Sequence, residues 1–556
     1  MDEDRCIVRH FTSFDVVRAT PFTHPARTIS RITHALPWRE PTLMSDVLSA
    51  INSVIWSDWL VYLCLATGVY FSVRTRFLQV RHVKGMLQQL VHGEKSASGV
   101  SSFQALAMSL SGRVGTGNVA GVATAIAFGG PGALFWMWAV AFLGASTSFV
   151  ESTLGQIYKT RDPLTGEYRG GPAYYFSRAF AHTKGAGFFK VYGYVFAAVT
   201  VLACGVLMPG VQTNSMATAI SGAWTLEPWI VAVGSVILLA LVVMGGVKRI
   251  ASVAAFVVPF MAAGYIILAL IVVVINAAQL PEILSLVFRS AFGMDSALGA
   301  IIGLAVMWGV KRGVYSNEAG QGTGPHAAAA AEVSHPAKQG LVQAFAVYID
   351  TLFVCSATGF LILSTGAYRV FSGGSEDGDI LAEGGLLSAS AVVGPQYVQA
   401  GFDSVFPGVG ASFIAITLIF FCLTTVIAYY YMAETNLRFL LGTSSAKMIP
   451  GLRTTLGRAT TIALQVAILV AAAYGCVNTA ADAWVMGDIG VGLMAWLNIV
   501  GILILQKPAF KALKDFERQQ KLGLDPVFDP KPLGITGATF WESYKPAERE
   551  KESAQV

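Results

Sequence analysis

Long apolar runs separated by short polar connections fill the chain from about residue 51 to residue 505. The runs are continuous rather than alternating, so they predict helices and not the strands of a barrel. A helix needs about 20 mostly apolar residues to cross a bilayer. Eleven segments approach that length: 51–72, 102–128, 132–155, 192–222, 229–246, 252–277, 298–314, 341–366, 409–431, 459–477 and 484–505. The first is the weakest, because Asp58 interrupts it. The expected fold class is an all-α integral membrane protein with eleven transmembrane helices.

Charge orients the spans. The connections after spans 1, 3, 5, 7 and 9 are basic, with Arg74, Arg76 and Arg81 after the first, Lys159, Arg161 and Arg169 after the third, and Lys311, Arg312 and Lys338 after the seventh. The alternate connections carry only Arg289 and Arg369, and the longest of them, around "GGSEDGDILAEGG", is acidic. The positive-inside rule then places each odd-numbered exit in the cytoplasm. The N-terminus is expected outside and the C-terminus inside, in a bacterial cytoplasmic (inner) membrane. Residues 44–506 form the expected transmembrane domain and residues 507–556 a cytoplasmic tail. Residues 1–43 carry six arginines and no apolar h-region, so they do not read as an ordinary signal peptide. They are either a disordered leader or a start-site artefact, since Met44 opens "MSDVLSAINSVIW", a natural beginning for span 1.

Composition agrees with this picture. The chain has 556 residues, 54% hydrophobic and only 13% charged, whereas soluble domains carry about 25% charged residues. The net charge of +5 is accounted for by the basic connections and calls for no nucleic-acid partner. Six cysteines are scattered without a CxxC pair, which points to neither a metal site nor a disulfide framework.

Two spans break the helical pattern. Span 2 contains "SGRVGTGNVAG", with Gly112, Gly115, Gly117 and Gly121 and a charged Arg113. Span 7 runs into "MWGVKRGVYSNEAGQGTG", again dense in glycine. Four ordinary spans separate the two, so spans 2–6 and 7–11 make two halves of five with opposite orientation. A glycine-interrupted helix opening each half points to the midplane site of an inverted-repeat transporter. An interrupted helix frees N–H groups on one side of the break and C=O groups on the other. The former favour a carboxylate and the latter a cation. The competing reading is close helix packing, since "GNVAG" is also a GxxxG. Arg113 taken alone reads as a snorkelling or paired residue.

The strings "GTGNVAGVATAIAFGGPGALFWMWAVAF" and "MWGVKRGVYSNEAGQGTGPHAAAAAEVSHPAKQG", with "YIDTLFVC" after them, closely resemble the alanine or glycine:cation symporter family (sodium:alanine symporters). The likeness runs from about Met44 to the end of span 11. It implies the LeuT-type fold of ten core helices in two inverted repeats preceded by one extra helix. It also implies import of small neutral amino acids, chiefly alanine and glycine, with Na⁺ or in some members H⁺ as coupling ion and no enzymatic cofactor. "VGTGN" is similar to the "VGLGN" of sodium-coupled neurotransmitter transporters. That similarity implies a substrate carboxylate held near Thr116 and Gly117, an amino group facing carbonyls of Met307, Trp308 and Gly309, and Gln212 lining the pocket. The implied sodium site uses carbonyls of Ser111 and Val114 and hydroxyls of Thr424 and Thr425. Where many members have glycine after the threonine pair, this chain reads "TTVIAYYYMAETN", a departure at Ala428.

The remaining polar residues carry two readings each. Asn118 either turns back on the break or approaches the cation. Asp350 is an intramembrane acid, functional by default, or a hydrogen-bonded structural group. Asn317 and Glu318 suit either gating or capping at the end of span 7. Glu151 and Glu434 are expected near helix ends, solvated or paired, and His326 and His335 in loops. Trp308 is the large residue of an otherwise small pocket. A membrane-embedded enzyme would need a nucleophile–base pair or facing metal ligands, and a passive channel a symmetric filter; no HExxH, G-x-S-x-G or GxxxxGK[ST] occurs.

Overall fold

The computed structural model describes residues 43–91, 100–162, 166–244, 246–294, 298–444 and 450–543. The readings made for the N-terminal extension up to residue 42 and for the last residues, 544–556, lie outside them. The chain is a helical bundle. In order, its main helices are α1 (Leu43–Ile55), α2 (Asp58–Arg74), α3 (Ser102–Arg113), α4 (Val122–Gly129), α5 (Gly132–Ile157), α6 (Pro172–Ala179), α7 (Ala186–Leu202), α8 (Pro209–Trp224), α9 (Pro228–Val243), α10 (Gly246–Ile275), α11 (Leu280–Ala291), α12 (Ile302–Asn317), α13 (Gly324–Ala330), α14 (Pro336–Val347), α15 (Ser356–Thr365), α16 (Pro395–Val405), α17 (Gly410–Ser444), α18 (Pro450–Val477), α19 (Ala480–Leu505) and α20 (Lys507–Lys521). Two short antiparallel ribbons, Thr160–Arg161 with Tyr168–Arg169 and Arg369–Phe371 with Ile380–Glu383, lie in the connections.

Local chemistry sets the ends. Ser101 and Gln104 form a reciprocal capping box at the start of α3, which satisfies two otherwise orphaned donors. Thr479 accepts from the Asp482 N–H at the start of α19. Prolines occupy the first turns of α8, α9, α13 and α14, where no intrahelical N–H is lost.

Among the described residues, eight helical runs are long and apolar enough to cross a membrane. They correspond to the expected spans 1, 3, 4, 6, 8, 9, 10 and 11. The other three fall short for a physical reason: spans 2 and 7 are split into α3 with α4 and α12 with α13, and span 5 is the 16-residue α9. This is a multi-pass membrane protein. Three π-helical segments, Gly117–Gly121, Ala203–Leu207 and Tyr348–Cys355, sit in or beside the broken spans; such segments are frequent at functional sites.

The two halves of span 2 pack against α12, α15 and α17, and α5 packs along both α12 and α14. The most deeply buried polar residues, among them Arg113, Asn118, Glu151, Gln212, Arg312, Glu318 and Asp350, gather along these contacts. At one end of the bundle α20 lies against α5 and α14. Its Glu517 accepts from Arg76 at 2.7 Å, Arg81 at 2.8 Å and His82 at 3.0 Å.

Candidate functional site

Span 2 opens at residues 114–116. α3 stops at Arg113, Val114 turns extended (φ −75°, ψ 92°) and Thr116 starts the second half. In an unbroken helix the Gly115 and Thr116 N–H groups would donate to the Ser111 and Gly112 carbonyls. Here the Gly115 N–H donates to Asn118 Oδ1 at 2.8 Å, and the Thr116 N–H donates to Gln212 Oε1 at 3.1 Å. The Thr116 hydroxyl donates to the same oxygen at 2.9 Å. Asn118 therefore turns back on the break. The released Ser111 carbonyl accepts from Thr425 Oγ1, on α17, at 2.9 Å. N–H groups and a carbonyl released from the helix ladder thus lie within one buried patch, each met by a side chain, and a neighbouring helix supplies a hydroxyl to it.

Glycine is needed there for space. A Cβ at Gly115 would lie 2.6 Å from Thr425 Oγ1 and 3.0 Å from Gln212 Oε1. A Cβ at Gly117 would lie 3.3 Å from the Ser316 backbone, so the two broken spans touch at that point. Thr424 does not join the patch, because its hydroxyl donates back to Phe420 and Phe421 carbonyls of α17.

Around the N–H groups an aromatic wall closes the space. Gln212 Nε2 faces the hydroxyls of Tyr315 at 3.5 Å and Tyr429 at 3.3 Å. The Tyr315 ring lies 5.1 Å from Trp484, and the Arg312 guanidinium stacks 4.1 Å above Trp484. Arg312 forms a two-pronged pair with Asp488 at 2.8 and 3.0 Å, and Lys311 reaches the same carboxylate at 2.7 Å.

The break of span 7 lies elsewhere than expected. Met307, Trp308 and Gly309 sit inside the continuous α12, so their carbonyls are not freed as substrate ligands. Gly309 is a packing residue: its Cβ would lie 2.5 Å from Trp136 and 2.6 Å from the Ala133 carbonyl. The Trp308 ring packs 5.1 Å from Phe128 at the far end of α4, and the aromatic wall of the break is Tyr315, Tyr429 and Trp484 instead. The true interruption runs from Glu318 (φ 57°) through Gly320 (φ 84°) and Gly322 (φ 87°). Lys311 and Arg312, taken as a basic connection, are helix residues of the buried array, which leaves Lys338, in the first turn of α14, as the remaining basic residue of the three.

A carboxylate holds this second interruption. Glu151, near the C-terminal end of α5, accepts from the N–H groups of Gly320 and Gly322 at 3.1 Å each and from Asn498 Nδ2 at 2.7 Å. It lies near a helix end as expected, but it is buried and hydrogen-bonded rather than solvated. Asn317 Oδ1 accepts from the Ala319 N–H at 3.0 Å, which is a capping arrangement. Asp350 accepts from Asn118 Nδ2 at 2.6 Å, Ser316 Oγ at 2.8 Å and Thr351 Oγ1 at 2.7 Å, so it ties both broken spans to the π segment before α15. Glu434 pairs with Arg169 and Arg438. His326 lies within α13 and is not a loop residue, whereas His335 is the extended N-cap residue in the connection just before α14; both are buried. Arg113 is fully buried and donates to the Gln343 carbonyl at 3.0 Å and to Ser148 Oγ at 3.2 Å.

Sequence reasoning missed Tyr315, Tyr429, Trp484, Asp488 and Asn498, and it did not give Glu151 its role at the second break. The adjacent Lys311 and Arg312 inside an apolar stretch were the signal for Asp488. Nothing local marks the others.

Comparison with known proteins adds to this geometry. The sequence profile of the sodium:alanine symporter family matches residues 41–530. YrbD of Bacillus subtilis, named as a candidate sodium/proton-dependent alanine carrier, is 55% identical over 92% of this chain and 100% of its own length. The sodium/proton-dependent alanine carrier protein of Bacillus sp. strain PS3 is 47% identical over 84% of this chain and 100% of its own. The sodium/alanine symporter AgcS of Methanococcus maripaludis is 34% identical over 86% and 98%. A solved Na⁺-coupled sialic acid symporter is 14% identical over 88% of this chain and 95% of that one, with a TM-score of 0.48, a likeness too loose to bear on function.

Proposed function

This chain belongs to the sodium:alanine symporter family, a family of transporters rather than enzymes, and we propose that it imports small neutral amino acids, alanine and glycine, together with Na⁺ across the bacterial cytoplasmic membrane. Eleven spans, the last ten as two inverted repeats of five, would carry the site between their two broken helices, with the N-terminus outside and the C-terminus in the cytoplasm. One arrangement supports the reading above all. The break in span 2 frees the Gly115 and Thr116 N–H groups and the Ser111 carbonyl side by side, and the carbonyl already meets the Thr425 hydroxyl. In the proposed bound state the substrate carboxylate takes the N–H groups near Thr116 and Gly117, displacing Gln212 Oε1. Na⁺ takes the Ser111 and Val114 carbonyls and the Thr425 hydroxyl. These are hard oxygen donors of the kind an alkali cation prefers. Tyr315, Tyr429 and Trp484 would wall the substrate side chain and favour a small one.

Coupling arises because each ligand completes the other's surroundings and both favour the same conformer. Alternating access then requires the Arg312–Asp488 array and the Glu318–Thr323 segment to open in turn. A tenfold Na⁺ gradient with 100 mV supplies roughly 3.7 kcal/mol per ion, enough for several hundred-fold accumulation. The test is uptake of labelled alanine into proteoliposomes with and without an inward Na⁺ gradient. Gradient-dependent uptake competed by glycine is expected, and uptake indifferent to both Na⁺ and H⁺ gradients would overturn the reading.

A further inference from the structure

One buried charge cluster beside the two breaks takes no part in the ligand binding proposed above. Arg113 closes α3 beside the first break and Glu318 closes α12 at the second. Both are 1% exposed. Among the described residues Arg113 forms no ion pair, yet Glu318, Glu151 and Asp350 surround it electrostatically. The cluster therefore holds three carboxylates and one guanidinium.

Two of the carboxylates are committed. Glu151 binds the Gly320 and Gly322 N–H groups and Asn498, and Asp350 binds Asn118, Ser316 and Thr351. Glu318 is different. Its Oε2 accepts from Thr323 Oγ1 at 2.8 Å, whereas its Oε1 is buried and has no hydrogen-bond partner among the described residues. That free oxygen points across to the other broken helix, 3.4 Å from where a Cβ of Gly112 would stand. A buried carboxylate oxygen without a donor is costly when charged, and a proton on Oε1 removes the charge. The charged or titratable groups facing it are Arg113 from α3, Asp350 from the π segment before α15, Cys204 from the π segment after α7, and Tyr429 from α17.

We propose that Glu318 is a proton-binding site, and that its proton is a second coupling cation carried with the amino acid. Oε1 holds the proton while the two breaks are closed on each other, as in this structure. When α13 moves away from α3, water reaches the carboxyl beside Arg113, the O–H bond breaks, and the proton leaves to that water. The cycle takes one proton from water on one side and returns it to the other, with no further reactant. The proposal rests on the transport reading above and adds to it the residue that would carry the proton for which the two Bacillus relatives are named.

The test uses the full chain in proteoliposomes that contain a trapped pH-sensitive dye, with an inward Na⁺ gradient and clamped potential. Addition of alanine to the wild type should acidify the interior. Per alanine taken up, Glu318→Gln should lose the acidification and Glu318→Asp should keep it. Acidification persisting in Glu318→Gln, or wild-type alanine uptake that moves no proton, overturns the proposal and leaves the Na⁺ reading intact. Failure of the wild type to take up alanine sinks the transport reading instead. If Glu318→Gln does not transport, infrared difference spectra of the wild type and Glu318→Asp decide. A protonated-carboxyl stretch that shifts between the two on adding alanine and Na⁺ supports the site, and an unshifted stretch contradicts it.

Discussion

Thr425 Oγ1 on α17 lies 2.9 Å from the Ser111 carbonyl at the broken end of α3. The bond exists because the Gly115 N–H, the carbonyl's ordinary helical partner, has been taken by Asn118. A local break and a tertiary contact are thus one event, and the result is an oxygen-rich point in a buried, water-poor interior. Thr425→Ala should raise the Na⁺ concentration needed for half-maximal uptake roughly tenfold to a hundredfold, the loss expected for one hydrogen-bonding group at a charged site. The order of preferred substrates should stay the same and Thr425→Ser should restore the wild-type requirement. Na⁺ titration of alanine uptake checks this.

Gly115 makes that approach possible. Gly115→Ala would place a Cβ 2.6 Å from Thr425 Oγ1 and 3.0 Å from Gln212 Oε1, so both the hydroxyl and the amide must move. Transport should be lost while the protein still assembles in the membrane. Gly303→Ala in α12, whose Cβ would meet nothing within 4 Å, is the control and should transport normally.

These two glycines show how far the sequence could be read. The cluster around Gly115 and Gly117 marked its break correctly, because the glycines there flank the point at which the helix opens. In span 7 the same density misled. Gly309 and Gly313 are smooth helix residues that let α12 lie on Ala133, Met137 and Val140, while Gly320 and Gly322 take positive φ and end it. Composition alone does not separate a packing glycine from a breaking one; what distinguishes them is the neighbouring helix. Glu151 was out of reach for the same reason, since its role depends on N–H groups some 170 residues away in sequence.

Asp488 compensates two buried cations, Lys311 and Arg312. Removing the anion of a buried pair costs about 3–5 kcal/mol, because the remaining charge stays desolvated. Asp488→Asn should therefore lower the thermal midpoint of the detergent-solubilised protein clearly and abolish uptake. Pairing it with Lys311→Met should recover part of the stability, as seen in a thermal-shift assay.

The contact between α20 and the segment after α2 should depend on pH. Burial raises the Glu517 carboxyl, but hydrogen bonds and attraction from Arg81 and His82 outweigh it and hold the group below its ordinary value of 4.5. A depressed carboxylate contributes stability that is present above its unfolded value and is lost as pH falls through the folded one. The tail should stay docked at neutral pH and release only in acid below about pH 4.5. Glu517→Gln should remove that acid step and loosen the tail at neutral pH. Protease accessibility of the tail between pH 3 and pH 7 tests both points.

The central claim is that amino acid and Na⁺ share the break in span 2. Linkage requires that each ligand strengthen the other by one common factor. Equilibrium binding of labelled alanine to the purified protein across a Na⁺ titration, with the reciprocal Na⁺ titration at fixed alanine, measures that factor directly. The account predicts equal factors in the two directions for the wild type and their collapse towards one in Thr425→Ala. Alanine affinity that does not change with Na⁺ would contradict it.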